Sequence, residues 1–204
     1  MNLANNRPLI AMIVWYVAVC IVAAINPIDR HAWALENLLV LFFIAVLAFT
    51  YRRFAFSNLS YLFLTIFLTL HAIGAHYTYQ YTPIGFWLKD AFSLSRNHYD
   101  RLIHCAFGLL LVFPVREILM RFAKVHGGWA FSLPVCVIFA VSGLFEIGEA
   151  LTAEIVSPGR GIDWLGAQGD EWDAQWDMTA TLVGACVTMA IAANVTKLRG
   201  GEKS

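Results

Sequence analysis

The 204-residue chain is 59% hydrophobic, only 14% charged and formally neutral, and its mean hydropathy is +0.64. About a quarter of the residues of an ordinary globular domain are charged, so this composition excludes a soluble domain and identifies an integral membrane protein. The even balance of charge also leaves no basic surface for nucleic acid.

A hydrocarbon core takes roughly 20 mostly apolar residues per helix. Six runs qualify, at about residues 8–25, 35–49, 59–81, 102–120, 129–152 and 178–195, the second being the shortest. Residues 1–204 therefore read as a single transmembrane domain, an all-α polytopic membrane helix bundle of about six transmembrane helices. The first run follows Arg7 and leads to Asn26-Pro27-Ile28 without a small-x-small cleavage site, so it is expected to be a retained span and not a signal peptide. Asn26-Pro27, Arg52-Arg53, Thr82-Pro83 and Ser157-Pro158-Gly159 are among the signals that separate the runs. Cys20, Cys105, Cys136 and Cys186 each lie alone in an apolar run without CxxC spacing, the pattern of small buried side chains.

Lys and Arg in the flanks set the orientation. Nine of them (Arg7, Arg52, Arg53, Arg116, Arg121, Lys124, Lys197, Arg199 and Lys203) fall on the amino-terminal side, against five (Arg30, Lys89, Arg96, Arg101 and Arg160) on the other. Both termini are thus expected in the cytoplasm.

In that orientation the polar residues of the spans fall at one level. His71 and His76 lie in the outer half of the third run, Asp100 and His104 open the fourth, Glu146 and Glu149 close the fifth, and Asp173 and Asp177 lead into the sixth. Asp100/His104 and Asp173/Asp177 are i,i+4 pairs and Glu146/Glu149 an i,i+3 pair, so each pair occupies one helix face. His71 and His76 are five apart, about 140° around a regular helix, so one of them at most shares that centre. Ionised carboxylates facing lipid are costly, which turns such residues toward one another inside the bundle.

Carboxylates and imidazoles supplied in pairs by facing helices suit a divalent cation, with Zn, Mn, Fe or Mg as candidates and Asp100, His104, Glu146, Asp173 and Asp177 as the ligand set. Glu149, His71 and His76 are candidates for moving a proton. Arg96, Arg101 and Arg160 are candidates for holding a lipid phosphate by paired hydrogen bonds. Trp87, Trp164, Trp172 and Trp176, with Tyr77, Tyr79, Tyr81 and Tyr99, read as an interfacial aromatic belt.

The stretches HAIGAHYTY (71–79), RNHYDRLIHCAFGLLLVFPVRE (96–117), SGLFEIGEA (142–150) and GDEWDAQWDMTATLVGA (169–185) resemble those of the YjdF-like family of bacterial inner-membrane proteins. That resemblance implies a multi-pass protein of the inner membrane and no defined reaction. Asp100 with His104, Gly143 near Glu146, and Asp173 with Asp177 before Gly184 also resemble the pattern of the VanZ-like superfamily, from which Gly143 departs by its spacing and the last run by lacking an Asn before its Gly.

Two functions fit these residues. One is a metal-assisted hydrolase or transferase acting on a lipid-linked substrate. The other is a non-enzymatic binding or transport protein for a lipid headgroup or small solute, which uses the same cluster as a polar pocket. The basic-residue asymmetry is checked by topology reporters: fusions after Arg53 and Lys203 are expected in the cytoplasm and one near Gly161 outside. An external Lys203 reporter would overturn the orientation.

Overall fold

A computed structural model of the chain describes residues 5–156 and 168–201. Among them are seven helices and no strand: α1 (Arg7–Ala23), α2 (Arg30–Thr50), α3 (Asn58–His76), α4 (Pro83–Phe92), α5 (Tyr99–Arg121), α6 (Trp129–Val156) and α7 (Asp173–Gly201). α2, α3, α5, α6 and α7 are long and apolar enough to cross a membrane, and α1 is a shorter apolar helix of 17 residues.

Local chemistry shifts several boundaries from the expected ones. The second span gains a turn because Asp29 caps it, its carboxylate accepting from the backbone N–H of His31 and Ala32. α2 is therefore 21 residues long, and the shortest apolar helix is the first. α3 stops at His76, where Thr78 and Tyr79 take left-handed backbone angles (φ 48° and 54°), instead of running on to residue 81. The expected loop between the third and fourth spans contains α4, opened by Pro83 in its first turn. Asn97 then sets the start of α5, accepting from the Tyr99 N–H and donating to the Thr82 carbonyl, so Asp100 lies inside the helix.

Cross-helix contacts give the directions. Asn6 meets Asn58, Trp15 meets Thr69 and His76 meets the Ala23 carbonyl, so α1 and α3 run parallel. Thr181 meets the His104 carbonyl and Thr188 the Leu109 carbonyl, so α5 and α7 also run parallel. α3 is antiparallel to α5, with Tyr99 bonded to Leu70 near one end and Glu117 to Ser57 and Ser60 near the other. α6 is antiparallel to α5 and α7, with Arg116 bonded to the Ala130 carbonyl and Ser142 to Thr181. α2 returns beside α3, where the Tyr51 ring at its end lies tilted against that of Tyr61. The starts of α2, α5 and α7 and the ends of α1, α3 and α6 therefore share one end of the bundle.

The tightest packing in the bundle is between α5 and α7. A Cβ added to Gly108 would meet the carbonyl of Thr181, and one added to Gly184 would meet the backbone of Cys105 and Leu109. Small residues at such crossings let membrane helices associate by direct backbone contact. Thr181, fully buried, donates to the His104 carbonyl and bonds Ser142, so one hydroxyl joins α5, α6 and α7. At the opposite end, the Glu117 carboxylate accepts from the Ser57 N–H and from the hydroxyls of Ser57 and Ser60, which holds the start of α3 to the end of α5.

Replacing a mid-helix Gly by Ala ordinarily stabilises a helix by roughly 0.5–1 kcal/mol. At Gly184, Ala is instead expected to destabilise, by about 1–3 kcal/mol as overpacking does. Gly148→Ala, with open space around it, serves as the control in the same thermal unfolding series. Equal melting of the two variants would show that α5 and α7 are not in backbone contact.

Candidate functional site

Polar side chains from five helices and one turn converge at the shared end of the bundle. His104 from α5, Glu146 from α6 and Asp177 from α7 each offer one ligand atom, and these atoms lie within 4.8 Å of one another. Asp100, Asp173 and Asp177 form a second such group, so Asp177 is common to both. His104 Nε2 is 3.4 Å from Glu146 Oε1 and 3.9 Å from Asp100 Oδ1. The helical spacing of the pairs and the parallel crossing of α5 on α7 together account for this meeting.

The interior of the group is short of partners. Asp177 is 2% exposed, His104 7% and Glu146 9%, yet Glu146 Oε1 and Asp177 Oδ1 have no hydrogen-bond partner among the described residues. The Arg side chains are engaged elsewhere. Arg96 pairs with Asp173 and, at 3.4 Å, with Asp170; Arg101 pairs with Asp170 and, at 3.6 Å, with Asp173. Arg101 also stands over the Trp176 ring, 5.8 Å from its centre. These contacts tie the segment before α5 to the start of α7 and cap the acidic group. Outside the spans, the Trp172 N–H, with Arg101 beside it, holds the Asp170 carboxyl below the ordinary range, and burial, aided by Arg101 and Arg96, pushes the His98 imidazole down.

His71 and His76 part company, as their spacing requires. His76 lies apart from the group: its Nδ1 is 2.9 Å from the Ala23 carbonyl oxygen, on the α1 side of α3. His71 turns inward. Its Nδ1 is 2.8 Å from the Tyr79 hydroxyl, which donates to Glu36 Oε2 at 3.2 Å, and its Nε2 is 4.0 Å from the same Glu36 oxygen. Arg160, the remaining candidate for holding phosphate, lies outside the described residues, as does Trp164.

Glu36 and Tyr79 are members the sequence reading missed. Glu36 had a signal, as an acidic residue within the second apolar run. Tyr79 had been placed in the aromatic belt, but the left-handed turn after α3 folds its ring back onto Gly74, and it is 9% exposed. Tyr99 is likewise fully buried, whereas Trp87, Trp172, Trp176 and Tyr81 remain exposed.

Below the polar group opens a cavity of about 420 Å³ between α2, α3, α5 and α6. His71, Tyr79, Asp100, His104, Ser142 and Glu149 are among the residues that line it, and the rest of the lining is apolar.

Comparison with known proteins agrees with this architecture. The family described as "Predicted membrane protein (DUF2238)" matches residues 8–197. The "Inner membrane protein YjdF" of Escherichia coli (strain K12) is 35% identical over 177 residues, covering 86% of this chain and 84% of that protein. No solved structure matches. Neither similarity supports the VanZ-like resemblance.

The Arg–Asp cap is measurable by a double-mutant cycle on Arg96→Met and Asp173→Asn. Their side chains are 14% and 13% exposed, so a coupling of about 1–3 kcal/mol is expected for a charge-assisted hydrogen bond. A coupling near zero, the value typical of solvated surface pairs, would show that the cap does not hold α7 in place.

Proposed function

The chain belongs to the DUF2238 family and is a multi-pass protein of the inner membrane; from that premise we propose that it is a metal-assisted hydrolase or transferase acting on a lipid-linked substrate, with its polar centre at the outer face. The observation that carries this reading is the pair of buried, unpartnered carboxylate oxygens, Glu146 Oε1 and Asp177 Oδ1, within ligand reach of His104. Two carboxylates buried together repel when ionised and lose hydration, which the His104 ring 3.4 Å from Glu146 Oε1 replaces only in part. A divalent cation held by His104, Glu146 and Asp177 would remove both penalties, and Asp100 and Asp173 could provide a neighbouring position that shares Asp177. The mixed oxygen and imidazole donor set suits Zn, Mn or Fe, and Mg on the all-carboxylate side.

When bound, such a cation polarises a phosphoryl or acyl oxygen and lowers the pKa of a coordinated water. Glu149 and His71 stand at the wall of the cavity that opens onto this centre, where either can take the proton of an attacking water or hydroxyl as its oxygen bonds the headgroup. The leaving oxygen departs with the bonding pair and recovers that proton. Arg96 and Arg101 reach a phosphate only by exchanging Asp170 and Asp173 for it, so their first role here is to shape the cap. The apolar cavity also suits a non-enzymatic lipid-binding protein, and metal content separates the two readings.

Protein purified without chelator is expected to contain a near-stoichiometric divalent ion by elemental mass spectrometry. Asp177→Asn is expected to lose the ion while remaining folded, since an amide keeps the shape but not the charge. Asp173→Asn, already countered by Arg96 in the wild type, should lose less. Adding Zn, Mn, Fe or Mg at about 100 times the dissociation constant should stabilise the stripped protein by roughly 2.7 kcal/mol. Absence of both stoichiometric metal and metal-dependent stabilisation would eliminate the metalloenzyme and leave the binding protein.

A further inference from the structure

The walls of the cavity are unequal. α3 and α5 pack on each other behind it, and α6 packs on α5 and α7, whereas α2 rests mainly on α3 and makes no extensive contact with α6. Among the described residues, no helix closes the gap between α2 and α6. Leu39 and Phe42 on α2 and Val141 on α6 line the cavity and are nonetheless 55%, 68% and 44% exposed, which locates the mouth on the flank of the bundle. All three belong to membrane-crossing helices, so this mouth faces hydrocarbon and not water.

The interior is almost wholly apolar, and the ionisable residues of its lining gather at one end. Asp100, His104, Glu149, His71 and Tyr79 mark one end. Eighteen residues further along α5, Ile118 still lines the cavity, a distance of roughly 27 Å at 1.5 Å per residue. That is well beyond the half-thickness of a hydrocarbon core of about 30 Å, so a tail that fills the space is a long one. The volume of about 420 Å³ is near the lower end of the roughly 300–1,000 Å³ of small-molecule sites, which favours one chain over two.

We propose that the gap between α2 and α6 is a lateral portal through which a single-chain, long-tailed amphiphile enters from the bilayer, its tail lying along α5 and its headgroup stopping at Asp100, His104 and Glu149. The proposal rests on the reading above for the chemistry at the headgroup, and for the tail it needs only the cavity. An apolar chain moving from bilayer to cavity gains little from the hydrophobic effect, so its retention depends on close packing in the cavity, and the headgroup contact sets where the chain stops.

The test uses full-length protein in phospholipid vesicles and a diazirine-bearing stearic acid, with photolabelled peptides mapped by mass spectrometry. Labelling is expected to concentrate on peptides carrying Phe67, Phe107 and Phe145, which line the cavity, over Ile21 and Val22, which face outward from α1. Excess octadecyl phosphate should compete and dioleoyl phosphatidic acid should not. Leu39→Trp combined with Val141→Trp, both at exposed positions, should lower cavity labelling about tenfold, the change that a loss of 1.4 kcal/mol in affinity produces. Uniform labelling of cavity and outward faces in the wild type would overturn the proposal, whatever the fate of the double variant. So would equal competition by the two-chain lipid, or unchanged labelling in a folded double variant. Asp177→Asn should keep its tail labelling, so failure to find a metal and failure to find a bound chain are separate results.

Discussion

Gly108 and Gly184 allow α5 and α7 to meet backbone to backbone, running in the same direction. The polar end of the molecule depends on that contact. Because the two helices are parallel and held in register by Thr181 and Thr188, the first turns of both lie at one level, and Asp100 and His104 are carried to Asp173 and Asp177. A shift of one residue in either helix would rotate its pair by about 100° and break the group. α6 joins through Ser142 and Thr181, which sets Glu146 opposite His104.

The charges fall into two layers. Asp170 and Asp173 are answered by Arg96 and Arg101 in a cap at the rim. Beneath the cap, Asp177 and Glu146 present oxygens without hydrogen-bond partners, and Glu36, His71 and Tyr79 form a second bonded set, of which His71 and Tyr79 line the cavity. Unanswered buried carboxylates are costly in a low-dielectric interior, and a bilayer offers no water to relieve them. Such a grouping persists where a cation, a shared proton or a polar ligand compensates it, which is why the layer beneath the cap, and not the rim, is the functional candidate.

The cavity follows from unequal helix packing. Where Gly and Thr draw α5 and α7 together no space remains, whereas Phe42, Phe43, Phe67, Phe107 and Phe145 hold α2, α3, α5 and α6 apart. Membrane helices gain little from burying apolar surface against one another, so a gap between α2 and α6 can be filled by lipid at small cost. The same bundle is thus tight around its polar ligands and loose around the apolar space beside them.

Membrane class, the six apolar runs and the pairing of acidic residues on helix faces were all legible in the chain, because composition, run length and helical period are local properties. The exclusion of one of the two histidines was legible for the same reason, although which of them turned inward was not. Boundaries were less legible: the Asp29 carboxylate cap, the short α4 opened by Pro83 and the left-handed turn at Thr78 and Tyr79 depend on choices made within a few residues. What only the tertiary structure decided was the company each side chain keeps. Glu36 and Tyr79 joining His71, Arg96 and Arg101 closing over Asp170 and Asp173, and the apolar cavity beside them depend on distances between helices remote in sequence. Between α5 and α7 those distances are set by glycine contacts and hydroxyl bonds joining residues more than 70 positions apart, and no periodicity within one helix encodes them.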